Sequence, residues 1–535
     1  MTRENQASNK EHGKGYGPHP SVSDCARTYD VCVIGSGAAG SIAAMELVAA
    51  GLEVVMLEQG GYVGPENSYE EIIRTSEMAY ARQANGCWSL SGYPWTTCNV
   101  GGGTVFYGGA SFRYREVDFD PSRYLPDADL PVAWPYQYED LAPYYGEVED
   151  IIGVASASHA DPTAPPGRHT TSLPPIAPSP AGRALFEAAR SLGLNPFPTP
   201  LAITTQPYRG RPACSSAQPC IEHACEIGAK GDAYTVFVKA LLQQPNFRLF
   251  AGLQAVRLKR ERRAQVNCVQ AIRIDSGENF TFRARLFVVA CNAIQSAALL
   301  LRSGDRWCPS GLGNESDMVG RGLCFKLNEY VVGYLSDNAT VSDPDNDQAE
   351  GVGPFSTVAL TDYYLDSDCP TGLGGLIYEN RYGFRYAMRP YGKVLRLECL
   401  LADQPSRNNR IALSNKVNAL GLPYVVIDYQ VHPRDAARLE FIIERMQEIL
   451  VAASCRWIRR ESADFSLGSC HLHGTCRSGV DPQTSVLDLT SRVHSIENLY
   501  VVDGAFMPYP GSVNPTLTIQ AHALRTARYL AGIYK

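Results

Sequence analysis

Apolar residues in this chain follow two periods. The continuous runs in "YDVCVI" and "LEVVMLE" predict strands buried on both faces, and the alanine-rich run between them predicts a helix. "NFRLFAGLQAVRLKRE" predicts a strand pair. "ARLFVVACNAIQSAALLLRSG" predicts a buried strand turning into a helix, and "ENLYVVDGAFMP" a further strand, with a helix from Thr516. All of these are expected to join the sheet that begins at Tyr29.

Between Asp317 and Asp464 the pattern changes. "GPFSTVALTDYYL", "GLGGLIYEN", "KVLRLECLLA", "NRIALS" and "LPYVVIDY" predict strands separated by turn residues, and "RDAARLEFIIERMQEILVAA" predicts one long amphipathic helix. The fold class expected is an α/β nucleotide-binding domain interleaved with an α+β domain whose sheet is mostly antiparallel. The expected boundaries are a flexible leader over 1–28, the nucleotide-binding domain over 29–158, 211–316 and 465–535, and the second domain over 159–210 and 317–464. The Pro-rich "DPTAPPGRHTTSLPPIAPSP" is read as an irregular excursion near a boundary.

Composition narrows the function. A net charge of -7 argues against nucleic-acid binding, which needs a basic face. No apolar run spans a bilayer; "LFVVACNAIQSAALLL" is short and interrupted by Asn292 and Gln295. The leader lacks the apolar core of a signal peptide, so the sixteen cysteines point to free thiols in a reducing cytoplasm. Cys214, Cys220 and Cys225, with His223 among them, are too loosely spaced for a zinc or iron–sulfur site and read as a thiol-rich loop, so no metal is expected.

Two glycine clusters carry chemistry. In "VIGSGAAGS", Gly35 permits a tight turn, Gly37 lets the backbone approach a pyrophosphate, and Gly40 allows close helix–strand packing. Glu58, at the end of the second strand, is placed to accept hydrogen bonds from a ribose diol. The motif with its strand, helix and acidic terminus predicts a dinucleotide site, without separating FAD from NAD. In "NVGGGTVFYGG", successive glycines let backbone N–H groups converge on an anion or flat ring, or else form a tight structural loop.

With these pieces in order, the chain resembles the glucose–methanol–choline (GMC) family of FAD-dependent oxidoreductases from about Tyr29 onward. The carriers are the Gly35–Gly40 turn, "NVGGGTVFYGGASFRYR", "WPYQYEDLAPYY", "CNAIQSAALLLRSG", "HLHGTCRSGVDPQTSVLD" and "RVHSIENLYVVDGAFMPYPGSVNPTLTIQAHAL". Within the family it is similar to the paromamine 6′-oxidase group of aminoglycoside biosynthesis on "PWTTCNVGGGTVFYGGASFRYR", "GAKGDA", "SCHLHGTCR" and "DGAFMPYPGSVNPTLTIQAHALR". The resemblance implies oxidation of a primary alcohol, the 6′-hydroxyl of paromamine or a relative, to an aldehyde for a partner aminotransferase. Alternatives are another sugar, glycoside or small alcohol, or a non-redox lyase on the same scaffold.

The resemblance also implies site residues. FAD would lie on Gly35, Gly37, Gly40, Glu58, Gly102, Gly103 and Thr104. Val256 would lie near adenine, Asp503 and Gly504 near the ribityl–pyrophosphate, and the helix from Thr516 with its N-terminus at the flavin. Phe106 stands where some members attach FAD through a histidine, so the FAD is expected to be non-covalent. His471 corresponds to the catalytic base, and Asn514 to the residue that orients the substrate hydroxyl. A neutral imidazole suits proton abstraction from an alcohol while flavin N5 accepts hydride. The plainer readings are an interior hydrogen-bonded His471 and a helix-capping Asn514 ahead of Pro515. His473 departs from the family pattern and is a candidate substrate contact, unless its side chain turns away. Cys476 reads as packing. A cationic substrate needs carboxylates: the run "SDPDNDQAE" (342–350) reads as a solvated loop or a steering patch, and Asp362 and Glu379 are further candidates.

Overall fold

The computed structural model describes residues 15–66, 78–82, 86–91, 97–157, 160–165, 173–216, 219–335, 353–381, 394–461 and 470–534. The acidic run 342–350 lies outside the described residues. Three sheets organise the rest. The first holds β1 (Thr28–Ile34), β2 (Val54–Glu58), β6 (Phe247–Ala251), β7 (Leu253–Arg262), β8 (Gln265–Arg273), β9 (Asn279–Val289) and β17 (Leu499–Val501). Its parallel part runs β6–β2–β1–β9–β17. The central residues of these strands, Val31–Ile34 and Val54–Leu57, are apolar and buried because both faces are covered. The Ala38–Ala49 helix is apolar nearly all round for the same reason, lying against both this sheet and the C-terminal Thr516–Ile533 helix.

The segment expected to be a strand pair forms two strands that do not pair with each other. β6 runs parallel to β2, whereas β7 turns away at Gly252 and forms an antiparallel hairpin with β8. Gly252 has φ +77°, and a Cβ there would lie 2.6 Å from the Tyr16 ring. Tyr16 belongs to the stretch expected to be a flexible leader. From Gly15 on, that stretch is built into the fold: Val22–Ala26 is a short capped helix, Arg273 donates to the Gly17 carbonyl, and Thr28 opens β1.

The second sheet is wholly antiparallel, in the order β16 (Cys455–Glu461), β10 (Lys326–Leu335), β13 (Val394–Ala402), β12 (Leu376–Glu379), β11 (Val358–Leu360) and β5 (Phe197–Pro198). Helices Pro180–Ser191 and Pro433–Ala452 cover one face, packing on Leu327, Val331, Ile377, Leu397 and Leu401. Strand alternation therefore turns Lys326, Asn328, Tyr330, Tyr378 and Glu398 to the other face. Two of the strands expected in this sheet, β14 (Arg410–Val417) and β15 (Pro423–Asp428), leave it. They form a third sheet with β3 (Ala79–Arg82) and β4 (Trp88–Ser91). Among the described residues no helix is long and apolar enough to cross a membrane.

A buried lysine ties the thiol-rich loop to the second glycine segment. Lys230 Nζ donates to the carbonyls of Val105 and Cys220, both at 2.7 Å, of His223 at 2.7 Å and of Tyr107 at 3.1 Å. No group of three or more metal-ligating side chains occurs among the described residues. The loop's density of polar backbone is thus satisfied by one ammonium. Lys230→Met removes the donor from four carbonyls, two of them in buried bonds and two part-buried, and is expected to cost at least about 3 kcal/mol. A lowered thermal midpoint and faster proteolytic cleavage of the 205–230 loop would report it.

Candidate active site

The end of β1 makes a turn that only glycine accommodates. Gly35 has φ +102°, and a Cβ on it would fall 2.3 Å from the Ala290 carbonyl oxygen. A Cβ on Gly40 would fall 2.0 Å from the Gly35 oxygen, so helix and turn are in direct backbone contact. The Ala38–Ala49 helix begins after Gly37 with no side-chain cap, which leaves its first N–H groups open to an anion. At the end of β2, Glu58 Oε2 accepts from Ser36 N–H (3.0 Å) and the Ser36 hydroxyl (2.7 Å), and Oε1 accepts from Gly60 N–H (2.8 Å). Oε1 keeps a lone pair for one more donor, as a ribose hydroxyl would supply.

The second glycine segment lies directly on this turn. Gly101 N–H donates to the Ser36 hydroxyl at 3.0 Å, and a Cβ on Gly102 (φ +58°) would sit 2.9 Å from the Gly37 Cα. Gly102–Val105 is a single 3₁₀ turn. Gly103 is exposed, while the Thr104 hydroxyl donates to Gly101 O and accepts from Ala233 N–H. Thr104 therefore holds the segment in place from behind rather than offering its hydroxyl to a ligand. Phe106 is buried with Val105 and Ala224.

Three further elements converge on the same region. Asp503 caps the turn Gly504–Phe506, accepting from Ala505 N–H and from the Ser296 hydroxyl, and burial pushes its carboxyl up to about 6. A Cβ on Gly504 would meet Leu472 O at 2.4 Å, so this turn presses against the His471–His473 stretch. The Thr516–Ile533 helix starts without a side-chain cap. Its open N–H groups form a positive end suited to negative charge. Val256 lies in β7 and is nearly buried. Gly35, Gly37, Gly102, Gly103 and Thr516 keep partial exposure amid buried neighbours. Bare backbone, an open helix end and a carboxylate with a spare acceptor fit a dinucleotide.

The candidate catalytic residues sit on extended chain beside β10. His473 forms a two-way backbone bridge with Cys324, both N–H···O distances being 3.0 Å. His471 and His473 are two residues apart, so their side chains share one side. They differ in access: His471 is partly exposed, whereas His473 is fully buried and neither of its own ring nitrogens is hydrogen-bonded among the described residues. That placement does not support His473 as a substrate contact. Burial, with the Lys326 ammonium nearby, pulls His471 down to about 3 and His473 lower still. His522 shows the contrast of a satisfied interior histidine, bonded to Tyr136 and Ser491 and stacked on Phe506.

Lys326, which the sequence patterns did not single out, joins the two segments that carry the candidate catalytic residues. Two residues after the Cys324 bridge, its Nζ donates to Gly511 O (2.5 Å) and Pro510 O, in the turn leading to Asn514. The helix cap is Pro515, not Asn514. The Asn514 side chain instead hydrogen-bonds the Tyr378 hydroxyl, whose other partner is Glu398. With its amide engaged there, Asn514 Oδ1 has no partner among the described residues and is free to accept from an alcohol. Cys476 is fully buried, and burial pushes its thiol up, consistent with packing. Asp362 holds Asn195 at the surface. Glu379 is buried on the helix side of the second sheet, bonded to Ser179 and Thr357. Neither faces the histidines.

Gly102→Ala puts a methyl group 2.9 Å from the Gly37 backbone at φ +58°. Dinucleotide affinity is expected to fall at least about tenfold, a strain cost of 1–3 kcal/mol, measured as cofactor retained after desalting. Full retention would separate the second segment from the binding site.

Comparison with known proteins bears on this arrangement directly. Models described as GMC oxidoreductase match residues 94–328 and 405–523, and an FAD binding domain matches 30–68. The chain is 49% identical to the paromamine 6′-oxidase of Streptomyces fradiae, over 95% of this chain and 92% of that protein. It is also 49% identical to the 6‴-hydroxyparomomycin C oxidase of Streptomyces lividus, over 96% and 93%. Among solved structures, pyridoxine 4-oxidase from "Mesorbium loti" aligns with a TM-score of 0.66 at 18% identity, over 94% of this chain and 99% of that one. A formate oxidase aligns with a TM-score of 0.67 at 14% identity, over 94% and 98%. These two share the fold. The nucleotide cradle, the interleaved antiparallel sheet and these matches place the chain in the GMC oxidoreductases, an FAD-dependent enzyme family.

Proposed function

We propose that the chain oxidises a primary hydroxyl of an aminoglycoside, the 6′-hydroxymethyl group of paromamine or a close relative, to the aldehyde. The observation that carries this is the 49% identity, along nearly the whole chain, to two oxidases named for such compounds. FAD, when bound, accepts the hydride from the carbinol carbon. In this reading His471 takes the hydroxyl proton. Its depressed basicity keeps the imidazole neutral and ready as an acceptor. Asn514 Oδ1 holds the same hydroxyl and so aims the C–H bond. The FAD is proposed to be non-covalent, since Phe106 offers no nucleophile. The aldehyde suits a following aminotransferase, and buried free thiols such as Cys32, Cys220 and Cys399 suit the cytoplasm.

The two relatives are named for different hydroxyls, so the assay compares both substrate types. FAD-loaded protein is mixed anaerobically with paromamine, with a 6‴-hydroxylated paromomycin, and with their deoxy counterparts. Flavin bleaching and an aldehyde product are expected only where the hydroxyl is present. Bleaching by a deoxy compound would refute the alcohol assignment, and an unbleached spectrum with altered product would point to a lyase. His471→Ala is expected to retain FAD and slow reduction by about 10²- to 10⁴-fold.

The pH profile supplies a separate test. Protonation of His471 abolishes the base, and its range near 3 puts that loss below the ordinary histidine range. Reduction should therefore show no acid limb from His471 between about pH 5 and 8. Lys326→Met removes a repelling cation, so the imidazolium becomes easier to form; burial, the larger cause, remains, so the acid limb should move up yet stay below the ordinary histidine range. An unchanged limb would show that Lys326 exerts no field there.

A further inference from the structure

On the face of the second sheet turned away from its helices, Glu398 is more than nine-tenths buried and surrounded by neutral donors. Its Oε1 accepts from Asn328 Nδ2 at 3.2 Å and the Tyr330 hydroxyl at 3.4 Å, and Oε2 accepts from Asn380 Nδ2 at 2.6 Å. Tyr378 completes the set and links it to Asn514. Among the described residues Glu398 forms no ion pair, although the Arg396 charge is felt at it. Arg396, on the same strand, bonds Glu461 at 3.2 Å and lies 3.8 Å over the Tyr330 ring. A buried carboxylate normally has a counter-ion, because its charge is otherwise costly to desolvate. Burial accordingly raises the Glu398 carboxyl here.

Two more observations place a ligand there. Asn328 is also nine-tenths buried; its amide nitrogen is on Glu398, and its Oδ1 has no partner among the described residues. Glu222, from the thiol-rich loop, adds a second carboxylate whose charge is felt at the Tyr330 hydroxyl and the Cys470 thiol, the groups that Glu398 also affects. Its backbone N–H is anchored on Phe106 O at 2.6 Å, in the second glycine segment. The region beside Asn514 thus offers acceptors and negative charge.

We infer that Glu398, with Asn328 Oδ1 and with Glu222 opposite, forms a subsite for a primary ammonium on the sugar ring whose hydroxymethyl group is oxidised. Tyr378 is the cross-strand neighbour of Glu398 and also interacts with the Asn514 side chain, so carboxylate and amide flank one tyrosine, and a single sugar ring could present its hydroxymethyl oxygen to Asn514 and a ring ammonium to Glu398. The inference rests on the aminoglycoside reading above.

The test uses stopped-flow anaerobic reduction of the FAD-loaded enzyme by paromamine and by its analogue with hydroxyl in place of the 2′-amine. The wild type is expected to bind the amine more tightly by about tenfold or more. Glu398→Gln should collapse that preference, the loss falling on apparent Kd for the amine more than on the limiting rate. Glu222→Gln, in the thiol-rich loop rather than the sheet, should weaken the same preference and serves if the first variant folds poorly. Bleaching of the wild type by paromamine with an amine preference that survives both substitutions would overturn the subsite alone. No bleaching by paromamine at all would overturn the aminoglycoside reading and the subsite with it.

Discussion

The buried Ser36 hydroxyl is the junction on which the nucleotide end depends. It donates to Glu58 and accepts from Gly101 N–H, so the end of β1, the end of β2 and the second glycine segment share one oxygen. Each of those three pieces comes from a different part of the chain. Fully buried in a low-dielectric setting, the hydrogen bonds are costly to leave unmade, which fixes the three segments at contact distance. That distance is why Gly102 must lack a side chain, since a Cβ on it would fall 2.9 Å from the Gly37 Cα. Lys230 and Thr104 then brace the second segment from the far side, so its exposed edge is bare backbone.

Strand alternation does comparable work in the second sheet. Glu379 and Glu398 lie one cross-strand position apart, since Tyr378 pairs with Glu398 and Glu379 with Leu397. The odd step sends Glu379 into the helix layer, where it organises Ser179 and Thr357. The even step sends Glu398 toward Asn514. One carboxylate is structural and the other available, and the difference is a single pleat.

Local patterns made most elements legible: the β1–helix–β2 unit, the strand turning into the Asn292–Arg302 helix, and the helix from Thr516 were all readable. Pairing partners were not, because they depend on contacts remote in sequence. β6 and β7 are adjacent in sequence yet bond to different strands, and β14–β15 reach back to β3. The same limit hid Lys326 and Glu398. Each reads as an ordinary charged residue in an alternating strand, "KLNEY" or "LRLECL", until the sheet decides which face is wet. The motif histidines and Asn514 were legible only through resemblance, and Thr104 shows its cost: the residue sits in the expected segment but spends its hydroxyl internally.

Lys326 carries the argument into chemistry. A buried ammonium is expensive, yet here it serves two ends at once. Its hydrogen bonds fix the Pro510–Gly511 turn, and with it the position of Asn514. Its field, added to desolvation, keeps both neighbouring imidazoles neutral. A base must be unprotonated before the alcohol arrives, and the partner amide must already be oriented, or the geometry is lost. One cation meets both conditions because it opens β10, two residues past the His473 bridge at Cys324 and two before Asn328. On the proposed reading, base, orienting amide and substrate charge all lean on that short segment, so a shift of it would disturb all three together.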